Sequence, residues 1–246
     1  MRRWLAAATL VVLAACGGDQ PEDQIELDDD EREITDDEAA RLAETLVTNR
    51  ELGGADFQIT SRLPNGDTAT LEGEVDWADL SGRGTVTTSA GPAAVAEVVW
   101  TETDVYERIP DLTDLAAQVG DDIDWVSRRP DPDGRDIDAM IEVLLGLSAQ
   151  DVDNAVLIQQ EPGTAHLRTD EVASQGVAVD VFRYGTGTIL WLEQDGTTMW
   201  RFESLSNDRP LVADLFAHGE RTIEIPDAVP AESVAELYDA AVGLDP

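Results

Sequence analysis

Short stretches of alternating apolar and polar residues, broken by turns, constrain the fold of this chain more than any other feature. Phe57, Ile59, Ser61 and Leu63 alternate with Gln58, Thr60 and Arg62; Leu71, Gly73, Val75 and Trp77 alternate with Glu72, Glu74 and Asp76. Between them, Pro64-Asn65-Gly66-Asp67 carries the Asn-Gly pair of a tight hairpin. A period of two sets one side of each strand on a core and the other in water. The same reasoning predicts strands over 84–89, 93–100, 104–109 and 124–129, and again over 155–160, 164–169, 176–184, 188–193, 197–204 and 221–225. Gln194-Asp195-Gly196 reads as a second hairpin turn, and 211–217 fits a strand or a helix equally well.

Helical spacing is confined to the start, middle and end. Thr35-Asp36-Asp37-Glu38 is a capping box opening a helix with Leu42, Leu46 and Val47 on one face, which stops near Gly53-Gly54. Leu112, Leu115, Ala116 and Val119 form a short stripe; Ile137, Met140, Ile141, Leu144 and Leu145 form a stronger one, with Asp136 as its expected cap. Pro230 opens a last helix bearing Val234, Leu237, Ala241 and Val242, stopped by Gly243. Ten or eleven strands with helices at three places make an α+β chain, built on one large antiparallel sheet. A sheet of that width curls or closes, and its apolar face needs cover.

The formal net charge is -36, and all sixteen basic residues are arginine. Such acidity repels phosphates and so excludes nucleic acid and anionic headgroups as partners held by charge. Self-repulsion at this density is relieved by salt, so the acidity reads as a surface adaptation to a saline or alkaline habitat.

The chain's start is of another kind. Arg2 and Arg3 precede the apolar run from Trp4 to Leu13, which ends in Ala14-Ala15 and the sole cysteine, Cys16. A basic start, about ten apolar residues and small residues at the exit describe an export signal, too short to cross a bilayer. The cysteine just past the small residues resembles the lipobox of bacterial lipoproteins. That resemblance implies cleavage before Cys16, a diacylglyceryl group on its thiol, and anchoring to the outer face of the cytoplasmic membrane. Residues 1–15 are then a signal peptide, and 16–34 a lipidated cysteine with an acidic spacer centred on Asp28-Asp29-Asp30-Glu31. The spacer is polar and strongly acidic, so it is expected to stay disordered and reach roughly 25 Å as a random coil. A calcium-binding run is the other reading of it, but nothing fixes those carboxylates around one point.

With those segments set aside, 35–246 resembles the LolA-like lipoprotein fold, and most closely the actinobacterial LppX/LprG/LprA group. Thr169-Asp170-Glu171-Val172, then Gly176 through Tyr184, Thr188 through Gly196 and Met199-Trp200-Arg201-Phe202 carry the likeness, with the ending Ile223-Glu224-Ile225-Pro226 before a terminal helix. The resemblance implies a half-open β-barrel, a large curved antiparallel sheet whose concave face is covered by helices. It also implies a hydrophobic cavity that accepts an acyl chain, in a carrier or chaperone of the cell envelope with an envelope transport partner. The acidity departs from the pattern and favours a neutral headgroup over an anionic one.

Apolar strand positions supply the candidate lining of such a cavity: Ile59, Leu71, Val75, Val86, Val98, Trp100, Val179, Val181, Trp200 and Phe202, with Met140 and Leu144 as a lid. Taken singly, each of these residues reads more readily as packed core than as cavity lining. A filled interior would make the chain an interaction or sensing module instead. Neither His166 nor His218 belongs to a triad or metal motif, so no enzyme and no cofactor are expected. In 131–136 the frame of a calcium loop puts Arg129 and Met140 at its two ends, where carboxylates belong, so that segment reads as a turn. Trp77, Trp100, Trp125, Trp191 and Trp200 all fall in predicted strands, as core or as gates to a ligand site.

Overall fold

The computed structural model describes residues 31–63, 65–91, 93, 95–109, 113, 124–205 and 210–234. Helix α1 (Asp36–Leu52) begins as the sequence predicts. Thr35 Oγ1 accepts from the Glu38 amide, and the Glu38 carboxylate accepts from the Thr35 amide. It ends at Gly53, whose φ of 88° is left-handed, and the chain turns directly into a strand.

Six strands follow as a meander: β1 (Gly54–Arg62), β2 (Thr68–Asp76), β3 (Ser81–Thr88), β4 (Glu97–Trp100), β5 (Val105–Arg108) and β6 (Trp125–Arg128). Helix α2 (Asp136–Gly146) and the short α3 (Ala155–Gln160) come next. A second meander runs β7 (Ala165–Val172), β8 (Ala178–Tyr184), β9 (Thr188–Glu193), β10 (Met199–Ser204) and β11 (Leu211–Phe216). Antiparallel pairing of β11 with β1, Ile59 opposite Ala213, joins the two meanders into one sheet. A two-residue β12 (Val229–Pro230) lies parallel to β6 at one edge, and β7 forms the other. Among the described residues, twelve strands in the order β12-β6-β5-β4-β3-β2-β1-β11-β10-β9-β8-β7 make an open sheet, nearly all antiparallel. This is the α+β architecture expected from the alternating stretches.

The sheet bends over its inner face, and three glycines permit it. Gly73, Gly82 and Gly84 sit where inward side chains would stand. A Cβ at Gly82 would lie 2.1 Å from the Trp100 ring, and one at Gly84 would lie 2.7 Å from Leu71 Cδ1. Trp100 therefore lies flat over β3. Its ring centroid comes within 6.0 Å of that of Phe57, three strands away, where a flat sheet would separate the strands by about 14 Å. Helices α1, α2 and α3 bury Leu42, Met140, Leu144 and Ile158 against this face, in one core with Phe57, Ile59, Leu71, Val75 and Leu215.

Several expectations need correction. The run 155–160 is helix α3, not a strand, because the Asn154 side chain accepts from the amides of Val156 and Leu157 and starts a helical turn. Residues 221–225 are not a strand. They cross the outer face from β11 toward β6, held by Arg221, whose guanidinium reaches Asp56 at 2.9 Å and Glu74 at 3.5 Å. Asp136 is the first residue of α2 rather than its cap; the cap position belongs to Arg135, whose side chain makes no capping hydrogen bond. Trp77 stands in the turn after β2, where its indole donates to the Leu144 carbonyl at 2.9 Å. The segment 211–217 resolves as strand β11. The 112–119 stripe, apart from Thr113, and the last helix beyond its first turn at 231–234 lie outside the described residues, as does Cys16.

Candidate functional site

Two ionic clamps set the helices on the sheet. Arg41 of α1 donates to Asp180 Oδ2 at 2.8 Å and to the carbonyls of Gly196 and Glu193, both at 2.9 Å, with its guanidinium over the Phe182 ring. At the other end, Arg128 of β6 binds Asp138 of α2 and Glu107 of β5, and Arg135 reaches Glu107 at 3.0 Å. Burial works against the Arg128 charge, but the hydrogen bonds it donates to Asp138 and Glu107 outweigh it and raise its pKa. Backbone ties complete the frame: Ala149 donates to the Leu46 carbonyl, Asp153 donates to the Ala43 carbonyl, and Asn49 Nδ2 donates to the Leu147 carbonyl at 2.7 Å.

Between these clamps lies an apolar cavity of about 220 Å³, bounded by α1, the end of α2, α3 and strands β8 to β10. Leu42, Leu46, Leu147, Ile158, Leu190, Met199 and Phe202 form most of its wall, with Thr45, Asp153, Tyr184 and Thr188 as the polar members. A bulge explains how two of these residues share a face. Met199 pairs with Leu192 and Arg201 with Trp191, so Trp200 is an extra residue. Met199 and Phe202, three positions apart, therefore both point inward. The Thr45 hydroxyl is satisfied by the Arg41 carbonyl at 2.9 Å. Burial raises the pKa of Tyr184, and the carboxylates of Asp153 and Glu161 add to it, so its hydroxyl stays neutral.

Larger hollows lie on the outer face. One of about 560 Å³ sits beneath the crossing segment, among Asp56, Glu72, Glu74, Glu97 and Glu224, with Trp125, Ile225 and Pro226. Its rim of carboxylates suits water, not hydrocarbon.

The predicted lining residues divide into three groups. Ile59, Leu71, Val75, Val86, Val98, Trp100, Met140 and Leu144 come together, but in the packed core, each at most 6% exposed. Phe202 packs on that core and lines the cavity. Val179, Val181 and Trp200 do not join them. Asp180 and Phe182 take the inner positions of β8, so Val179 and Val181 fall on the opposite face, where Val181 packs with Ala165, Leu167 and Ile189. Trp200, in the bulge, meets the edge of His218 with ring centroids 5.0 Å apart. The helical stripe of Leu42 and Leu46 was visible as one wall. Leu190 and Met199 were hidden, because the bulge changes which residues face inward.

Neither histidine faces a nucleophile. His166 is buried with both ring nitrogens lacking a hydrogen-bond partner, and it meets Phe182 edge-on. Burial, with the Arg32 charge added, lowers its pKa. His218 Nε2 contacts the Met199 carbonyl at 2.9 Å, and burial lowers its pKa too. Among the described residues no cluster of three or more His, Cys, Asp or Glu is placed to hold a metal ion, and no helix is long and apolar enough to cross a membrane.

No protein-family model matches the chain, and no curated protein matches it. Solved structures similar to it include LprF from Mycobacterium bovis, at 14% identity and a TM-score of 0.47, with 78% of this chain and 98% of that one covered. The lipoprotein LppX of Mycobacterium tuberculosis matches at 12% identity and a TM-score of 0.45, over 75% and 96% of the two chains. A LolA superfamily protein from Nitrosomonas europaea matches at 10% identity and a TM-score of 0.31, over 78% and 96%.

Proposed function

We propose that this chain is a lipid-anchored envelope protein that shelters one acyl chain in the cavity between α1, α3 and strands β8 to β10. The observation that carries the reading is an apolar wall around about 220 Å³ of space. Each methylene transferred there from water contributes about 0.8 kcal/mol, so a handful of them outweighs the ordering cost of a single tail. The volume lies below the roughly 300 to 1,000 Å³ usual for a drug-sized ligand, which favours one tail over a multiply acylated molecule. Asp153 and Glu161 beside Tyr184 supply negative charge near the cavity, which favours a neutral headgroup.

Cys16 carries the anchor in this reading. Residues 1–15 are its signal peptide and 16–34 the anchored cysteine and acidic spacer, whose last residues Glu31, Arg32 and Ile34 already pack on the domain, and 35–246 are the lipid-binding domain at the extracytoplasmic face of the membrane. The protein acts as a carrier or chaperone that passes its lipid to an envelope partner. Titrating the mature chain with a fluorescent fatty-acid methyl ester, whose headgroup is neutral, tests the reading. Saturable uptake is expected, with about tenfold weaker binding in Leu46→Trp, which fills the cavity, and no change in Gln58→Trp on the outer face. Absence of saturable uptake in the unaltered chain would refute it.

A second reading is favoured by the packing of the eight core residues named above: an interior filled by the protein's own side chains suits an interaction or sensing module. That reading expects no uptake, and equal behaviour of the two variants.

A further inference from the structure

Helix α3 closes one side of the cavity with Ile158 and turns two other apolar residues to solvent. Val156 is 58% exposed and Leu157 62%, and Val152, just before the helix, is 57% exposed. Asp153 and Ile158 line the cavity, so this apolar lip is continuous with the cavity wall. Exposed aliphatic residues clustered at a cavity rim mark a surface that another apolar phase covers.

Two observations identify that phase. The first is where the described chain begins. Glu31 is paired with Arg183, the neighbour of cavity-lining Tyr184, and Arg32 bridges to His166 at the start of β7. Cys16 stands fifteen positions earlier, a length of chain that can span at most about 50 Å. A bilayer holding Cys16 is thus within reach of the face that carries the lip. The second is charge. Asp151, Asp153 and Glu161 flank the lip, so the surface it meets is not anionic.

We infer that Val152, Val156 and Leu157 dock on an uncharged, zwitterionic bilayer surface, so that the cavity is loaded from the membrane and not through water. The inference rests on the proposed anchor at Cys16. Three small side chains hold such a surface weakly and reversibly, and the anchor supplies the durable attachment.

The mature chain carrying Leu157→Cys tests it. With Cys16 acylated, the thiol introduced by that substitution is the sole free one and takes one environment-sensitive fluorophore. On phosphatidylcholine vesicles containing a spin-labelled quencher lipid, the label at position 157 is expected to shift to the blue and lose much of its emission. A label placed through Gln58→Cys on the outer face is expected to stay in water. Equal exposure at positions 157 and 58 overturns the docking while leaving uptake of the fatty-acid ester, measured on the same sample, as a separate result. Two fluorophores per chain would show a free Cys16 and overturn the anchor together with the docking. A blue shift that needs no vesicles and grows with protein concentration would assign the lip to a second copy of the chain and also overturn the inference.

Discussion

Arg41 on α1 and Asp180 on β8 lie 139 positions apart and meet at 2.8 Å, with the Asp180 side chain 8% exposed. This pair decides whether the first helix stays over the sheet and so whether the cavity has a roof. Removing the cation leaves a buried carboxylate without a partner, and that is costlier than losing the pair as a whole. Arg41→Ala is expected to lower stability by about 3 kcal/mol in denaturant unfolding. Arg41→Leu with Asp180→Leu should recover most of that loss. A single variant indistinguishable from the unaltered chain would show that the contact does not hold α1.

Acid should weaken the start of α1 in a narrow range. Hydrogen bonds from Arg32, then from the Thr35 backbone and hydroxyl, outweigh burial and hold the Glu38 carboxyl at about 2. Its folded pKa is lower than its unfolded one, so its contribution is complete above the ordinary carboxylate range and fades as pH falls toward 2. Melting temperature followed from pH 5 to pH 2 should fall less steeply in Glu38→Gln than in the unaltered chain. Parallel curves would contradict this assignment.

His166 should act in a different window. Its folded pKa lies below the usual histidine value, so the unfolded chain takes up the proton first. Stability therefore declines as pH drops through about 6.5 and levels off below the folded pKa. Arg32, Glu38, Arg41 and Asp180 are the charges that bear on it. His166→Phe removes two unpartnered nitrogens and keeps a ring against Phe182. Thermal melts of that variant should match or exceed the parent and lose this slope. A slope that persists would place its origin elsewhere.

The bend of the sheet depends on Gly82. Because a Cβ there would sit 2.1 Å from the Trp100 ring, Gly82→Ala should cost about 3 kcal/mol. Adding Trp100→Phe withdraws the clashing ring atoms and should return part of the loss. Chemical denaturation of the single and double variants measures both. A tolerated Gly82→Ala would mean that the indole can lie elsewhere.

The strands were legible wherever one face is wet, as in Phe57 through Arg62 or Leu71 through Asp76, because alternation there records burial directly. The capping box at Thr35 was legible for the same local reason: both of its hydrogen bonds join residues three apart. The stretch Ala155–Gln160 misled because six residues are too few to separate a helical period from a strand. Val179 and Val181 misled because β8 buries residues on both faces, so apolarity does not tell inside from outside. Met199 escaped notice because the bulge at Trp200 depends on pairing with a strand whose register the sequence does not print. The filled part of the interior was illegible for a related reason. A core position and a cavity wall demand the same residue types, so apolarity alone does not tell them apart.

Photocrosslinking tests the acyl-chain site most directly. A diazirine-bearing fatty-acid methyl ester, incubated with the mature chain and irradiated, should attach to residues of the cavity wall, with adducts on peptides containing Leu42 and Leu46, Leu190, or Met199 and Phe202. Unlabelled ester should compete them away. Adducts scattered over the outer face around Trp125 and Ile225, or none above background, would contradict the account.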